Sequence, residues 1–243
     1  MFAALFVFAL FVTAQLQATE IPSYIHPCSR KDPNYDQCIV DNLISTREKV
    51  CTGMPEFNIP PIEPLLVKKM VIYDTDSLKL HLKDTKIYGF CDFAVNFVHT
   101  NSDRLHIDFE LLLKALRLES VYEFDIRILV PLANKGLVTI STDNVALRIN
   151  IDAKVATKNG KKEIYASKIN SNLNITDFEY KFDETEKNLV ELHQAISNVV
   201  DGNKQDILVS VKPAIEKRIS ETIILLFNNI NRFNYEKLFS EHV

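Results

Sequence analysis

Between residues 65 and 182, apolar and polar side chains alternate with a period of two. Leu78-Lys79-Leu80-His81-Leu82-Lys83 alternates strictly, and so do residues 105–111, 122–128 and 145–152. A period of two sends successive side chains to opposite faces of a strand. Each run therefore predicts a half-buried strand with one wet face. Residues 168–174 follow the rule more weakly. Asn134-Lys135-Gly136 and Lys158-Asn159-Gly160-Lys161 are rich in turn formers and are expected to separate strands. The length of the runs favours one large, curved antiparallel sheet.

On either side the spacing becomes helical. Ile39, Leu43 and Val50 predict a helix over 34–51, started by Asp32-Pro33 and stopped by Gly53. Residues 54–64 hold Pro55, Pro60, Pro61 and Pro64. Proline disfavours helix for itself and for the residue before it, so this segment is expected to be extended. Near the other end, 186–200 predicts a modest helix stopped by Gly202-Asn203. Residues 204–232 predict a long one. Ile207, Val211, Ile215, Ile219, Ile223, Phe227 and Ile230 form its apolar stripe, which Leu208, Leu225 and Leu226 widen. Pro213 should kink or divide this helix. Helix, many strands, then a long apolar helix is an α+β order, most simply packed with the sheet wrapped around the last helix.

Composition narrows the picture. The 243 residues carry a net charge of −4 and no basic block, so nucleic acid and anionic membranes are poor partners. The first twelve residues are apolar and uncharged, and small residues follow. Residues 1–18 are therefore expected to be a signal peptide, cleaved after Ala14 or Ala18. Residues 19–243 would form a single soluble domain outside the cell. No later segment is apolar for long enough to span a bilayer. In an oxidising compartment Cys28 and Cys38 are expected to pair. Cys51 and Cys91 could form a second bridge or remain two buried thiols.

Candidate chemistry is sparse. The histidines His26, His81, His99, His106, His193 and His242 include no His-Glu-x-x-His pair. There is no Cys-x-x-Cys, no Gly-x-Ser-x-Gly and no glycine cluster to cradle a phosphate. Asp108, Glu110, Glu123 and Asp125 alternate with apolar residues, as on the wet face of strands. The chain is thus expected to be no enzyme, with no cofactor and no metal site. Asn174-Ile175-Thr176 is a glycosylation sequon, and Asn174 takes a polar strand position.

Several motifs together support a resemblance. Pro27-Cys28 with Cys38, Gly53-Met54-Pro55-Glu56, Ile59-Pro60-Pro61-Ile62-Glu63-Pro64-Leu65 and Ile87-Tyr88-Gly89-Phe90 occur in order. Gly202-Asn203-Lys204, then Val211-Lys212-Pro213-Ala214-Ile215, and a final Phe233-Asn234-Tyr235-Glu236-Lys237-Leu238-Phe239 follow. In this order and spacing the chain resembles the insect juvenile-hormone-binding and takeout family of haemolymph proteins. It departs in having no cysteine after Cys91, which favours the takeout branch, and in having Asn134-Lys135-Gly136 where Gly-x-Gly is common.

The resemblance implies a long helix wrapped by a strongly curved antiparallel sheet around an apolar tunnel. It also implies non-covalent carriage of a small hydrophobic ligand: juvenile hormone, a similar terpenoid, or a fatty-acid-like molecule. Alternation alone fits a filled core as well as a hollow one. If the interior is hollow, inward parity and the helix stripe make its wall from Phe97, Phe109, Leu111, Tyr122, Phe124, Ile126, Ile128, Leu147, Ile149, Ile219, Ile223 and Phe227. Tyr122 would offer its hydroxyl to an ester or epoxide oxygen. The rival readings are a takeout-like binder of fatty acids, quinones or odorants, and a secreted interaction protein with a filled core. With no apolar stripe left over, the protein is expected to be a monomer.

Overall fold

The computed structural model describes residues 21–127, 131–158, 160–183, 190–231 and 235–239. The expected signal peptide and Ile128 lie outside the described residues. Helix α1 (Tyr35–Thr52) runs where the spacing predicts and ends on Gly53, whose φ of 99° is one that other residues rarely adopt. The proline-rich segment is not extended throughout, because Pro55–Phe57 forms a 3₁₀ turn. Pro55 takes its first position, where a missing N–H costs nothing. Met54 and Ile59 then close a small bridge around that turn.

Seven strands follow: β1 (Leu65–Asp74), β2 (Leu78–Tyr88), β3 (Phe93–Thr100), β4 (His106–Arg127), β5 (Pro131–Lys158), β6 (Lys161–Asn174) and β7 (Glu179–Phe182). They form one antiparallel sheet in the order β1-β2-β4-β5-β6, with β3 also on β4 and β7 also on β5. The long β4–β5 hairpin is its spine. One half of the spine carries β3 and β6 as neighbours, and the other half carries β2 and β7. The Lys158–Lys161 turn is where the sequence places it. The 134–136 turn is not. Asn134, Lys135 and Gly136 lie inside β5, paired with Phe124, Glu123 and Tyr122. The hairpin reverses between Arg127 and Pro131 instead. Gly136 is there for a different reason, since a Cβ would sit 2.8 Å from the Tyr122 ring.

Both spine strands change parity midway. Inward residues on β4 are Ile107, Phe109, Leu111 and Leu113, then Leu116, Leu118, Ser120 and Tyr122. On β5 they are Ile151, Ile149, Leu147 and Val145, then Thr142 and Val138. Lys114 with Ala115, and Asp143 with Asn144, are consecutive exposed pairs. Each strand carries one extra residue at the same level, so the pairing on either side keeps its register. Asn144 adopts a φ of 54° there. Such extra residues bend a strand and increase its twist. On the neighbouring edge, the chain passes from β2 to β3 at this level through Gly89, whose φ is 103°. A Cβ on Gly89 would lie 2.1 Å from the Ala115 carbonyl oxygen. Glu63 secures this crossing by accepting hydrogen bonds from the Gly89 and Cys91 amides at 2.9 and 3.1 Å.

Helices α2 (Val190–Asp201), α3 (Lys204–Asn231) and α4 (Tyr235–Leu238) complete the chain. The sequence placed the start of α2 at residue 186, and residues 184–189 lie outside the described residues. Pro213 does not divide α3. The carbonyl four residues back belongs to Val209, which is 72% exposed, so water can replace the lost donor. Leu225 is 41% exposed and does not widen the stripe.

Helix α3 packs against both β1 and β6, the two ends of the curled sheet. Its side chains bond the backbone groups that these end strands leave unpaired. Arg218 Nε donates to the Leu66 carbonyl at 3.2 Å, Glu216 accepts from the Leu173 amide at 2.8 Å, and Asn228 accepts from the Ala166 amide at 2.8 Å. Two disulfides hold α1: Cys28–Cys38 near its first turn and Cys51–Cys91 at its last.

Cys51–Cys91 links residues 40 apart and Cys28–Cys38 residues 10 apart. Loop-closure entropy then assigns about 4 kcal/mol to the first and about 3 kcal/mol to the second. Urea unfolding of the Cys51→Ser/Cys91→Ser and Cys28→Ser/Cys38→Ser variants should show the larger loss in the former. Gly89→Ala should cost more than about 3 kcal/mol by the same measurement, through its backbone clash and positive φ.

Candidate ligand-binding site

The concave side of the sheet and the helices packed on it line two apolar spaces. The larger has a volume of about 320 Å³ and is lined by Phe109, Leu111, Leu147, Ile149, Ile219 and Ile223, among others. The smaller is about 80 Å³ and is lined by Leu82, Leu116, Leu118, Tyr122, Val138 and Ile215, among others. The division follows the parity change. The inward spine residues that reach the larger cavity are odd-numbered, and those that reach the smaller are even-numbered. Val67, Val145 and Leu173 are buried and line neither space.

Of the wall residues expected from sequence, seven line the larger cavity: Phe109, Leu111, Leu147, Ile149, Ile219, Ile223 and Phe227. Tyr122 lines the smaller one. Its hydroxyl lies 3.0 Å from His193 Nε2, so it is already engaged. Phe182 stacks on the same His193 ring at 4.6 Å and meets the Tyr122 ring edge-on at 5.2 Å. Phe124 is buried but lines neither cavity. Phe97 also lines neither. A bulge between Val95 and Phe97 reverses the strand's parity, and the ring packs outside under the Arg148 guanidinium at 5.6 Å. The Ile126 side chain, like all of Ile128, lies outside the described residues.

The alternation did not reveal the contribution of α1. Ile39, Leu43, Thr46, Arg47 and Val50 line the larger cavity. The spacing predicted this helix, but nothing in it said which neighbour the helix would cover. Asn42 fixes the approach of the N-terminal segment. It accepts from the His26 amide at 2.8 Å and donates to the His26 carbonyl at 2.8 Å. Phe90 and Phe93, flanking the disulfide at Cys91, also reach the cavity.

The ion pairs of β2, β4 and β5 keep to the convex side. Asp108 receives two hydrogen bonds from Arg148, at 3.0 and 2.5 Å, which hold its carboxyl below the usual range. The Lys83 ammonium, 2.6 Å from Glu123, does the same there. A general acid needs the opposite shift. Among the described residues no three His, Cys, Asp or Glu side chains are grouped to hold a metal. Asn174 is exposed at the end of β6, where an attached sugar would meet solvent.

Comparison with known proteins agrees with this architecture. The family model described as haemolymph juvenile hormone binding protein matches residues 5–240. A juvenile hormone-binding protein of Manduca sexta is 35% identical over 65 residues, 26% of this chain and 27% of its own length. The chain thus aligns with about a quarter of that relative. The crystal structure of Takeout 1 of Epiphyas postvittana superposes with a TM-score of 0.66 at 16% identity, covering 84% of this chain and 96% of that one. At that identity the likeness concerns the fold.

Proposed function

Because the chain belongs to the haemolymph juvenile hormone binding protein family, which binds small hydrophobic ligands, we propose that it is a secreted monomeric carrier of one elongated apolar molecule, of terpenoid or fatty-acyl type. The observation that carries this reading is the larger cavity, a space of about 320 Å³ with a mostly apolar wall. That volume falls within the range of small-molecule sites. A filled core would leave no such space, because protein interiors pack about as densely as organic crystals. The two disulfides accord with an oxidising, extracellular setting.

Binding would be driven by apolar burial. A ligand covering about 400 Å² of apolar surface gains roughly 10 kcal/mol before costs. Lost rigid-body and ligand freedom takes back several kcal/mol, which leaves roughly micromolar to nanomolar affinity. On β4 and α3 the lining of the larger cavity stops at Leu113 and Ile219, and the ligand would occupy that cavity.

Native mass spectrometry of the purified chain, followed by solvent extraction, should release a repeatable apolar adduct. An empty protein that also takes up neither juvenile hormone nor palmitate would refute the carrier reading. Leu111→Trp should fill the larger cavity and weaken uptake of the fluorescent probe N-phenyl-1-naphthylamine at least about tenfold, which is the loss of about two buried methylene contacts. Val138→Phe fills the smaller cavity and should leave that uptake unchanged. Circular dichroism checks that both variants keep the fold.

A further inference from the structure

We propose that the ligand of the larger cavity bears an anionic head, a carboxylate on an apolar chain, and that Arg47 holds it. This rests on the carrier reading of that cavity and specifies the class of molecule carried. Among the described residues that line the cavity, Arg47 alone carries full charge at neutral pH, and no Asp, Glu or Lys joins it. It shares a face of α1 with Leu43 one turn before and with Val50 and Cys51 one turn after, all lining the same space. Its stem can therefore follow the apolar wall while its head remains exposed at the rim.

The guanidinium is lightly used. It donates one hydrogen bond, from Nη1 to the Phe93 carbonyl at 3.0 Å, and lies 5.5 Å from the centre of the Phe93 ring. Both contacts aim it at the cavity edge. A guanidinium has five N–H donors. No ion pair involves Arg47 among the described residues. Other arginines of the chain meet carboxylates: Arg148 with Asp108, Arg104 with Asp36, Arg117 with Glu119 and Arg218 with Glu221. An arginine fixed at the rim of an apolar cavity, with donors to spare, suits a carboxylate, which can accept from two N–H groups at once. A neutral ester offers weaker acceptors and no charge.

Palmitate and methyl palmitate share a chain and differ in the head. Isothermal titration of the full chain at pH 8 and low salt should give palmitate the tighter binding, by roughly fivefold for a solvent-facing ion pair. Arg47→Gln should weaken palmitate by that factor and leave methyl palmitate unchanged. Arg47→Lys should retain part of the preference. Added salt should shrink it in the parent chain. Equal binding of the two probes by the parent chain, or a preference that survives Arg47→Gln, would overturn the assignment and leave the carrier reading intact. Binding of neither probe would overturn both.

Discussion

An open sheet has two edges, and every backbone N–H and C=O along them needs a partner. Here the two ends of the main strand path, β1 and β6, are brought to one helix. Arg218, Glu216 and Asn228, all on α3, supply side-chain partners to β1 and β6. This relieves the usual hazard of a bare edge strand, which is pairing with another chain. It also fixes the curvature, because a flat sheet could not present both β1 and β6 to the same helix. The interior is the space left when a sheet of this width closes on a single helix. One α-helix cannot fill it.

The shape of that space comes from smaller devices. The paired extra residues at 114–115 and 143–144 bend the spine where its flanking strands change. Gly89 passes close under the bend, and Glu63 holds the turn beside it. Val67, Val145 and Leu173 are buried in the interior and line neither cavity. The larger cavity is then covered by α1, which disulfides tether near both of its ends. Motifs that look unrelated in the sequence, Ile62-Glu63-Pro64 and Tyr88-Gly89-Phe90, are thus two sides of one contact.

The sequence makes the architecture legible because alternation reports facing directly. Strands, helices and the α+β order follow from it. The stripe through Ile219, Ile223 and Phe227 identifies the wall that α3 supplies. The misplacements have local causes. Asn134-Lys135-Gly136 has turn composition, yet Gly136 is a flat place for the Tyr122 ring within a strand. Phe97 has the residue type of a wall, and a bulge one residue earlier sends it outward. Pro55 suggests extension but begins a 3₁₀ turn. What alternation cannot carry is distance across the fold. Arg47 sits among polar residues of an amphipathic helix, and only the packing of α1 over β3 brings it to the cavity.

The doubled residues in the spine also restrict how this chain can change length. Removing Lys114 alone would slip every β4–β5 pair on one side of the bend by one position and turn buried residues to solvent. Removing Lys114 and Asn144 together would keep every pair and every facing, and would only straighten the hairpin. Insertions and deletions in the middle of the sheet are therefore tolerable only as matched events in two segments thirty residues apart in sequence. Length variation among relatives of this fold should concentrate instead at the hairpin tip and in the connections between elements.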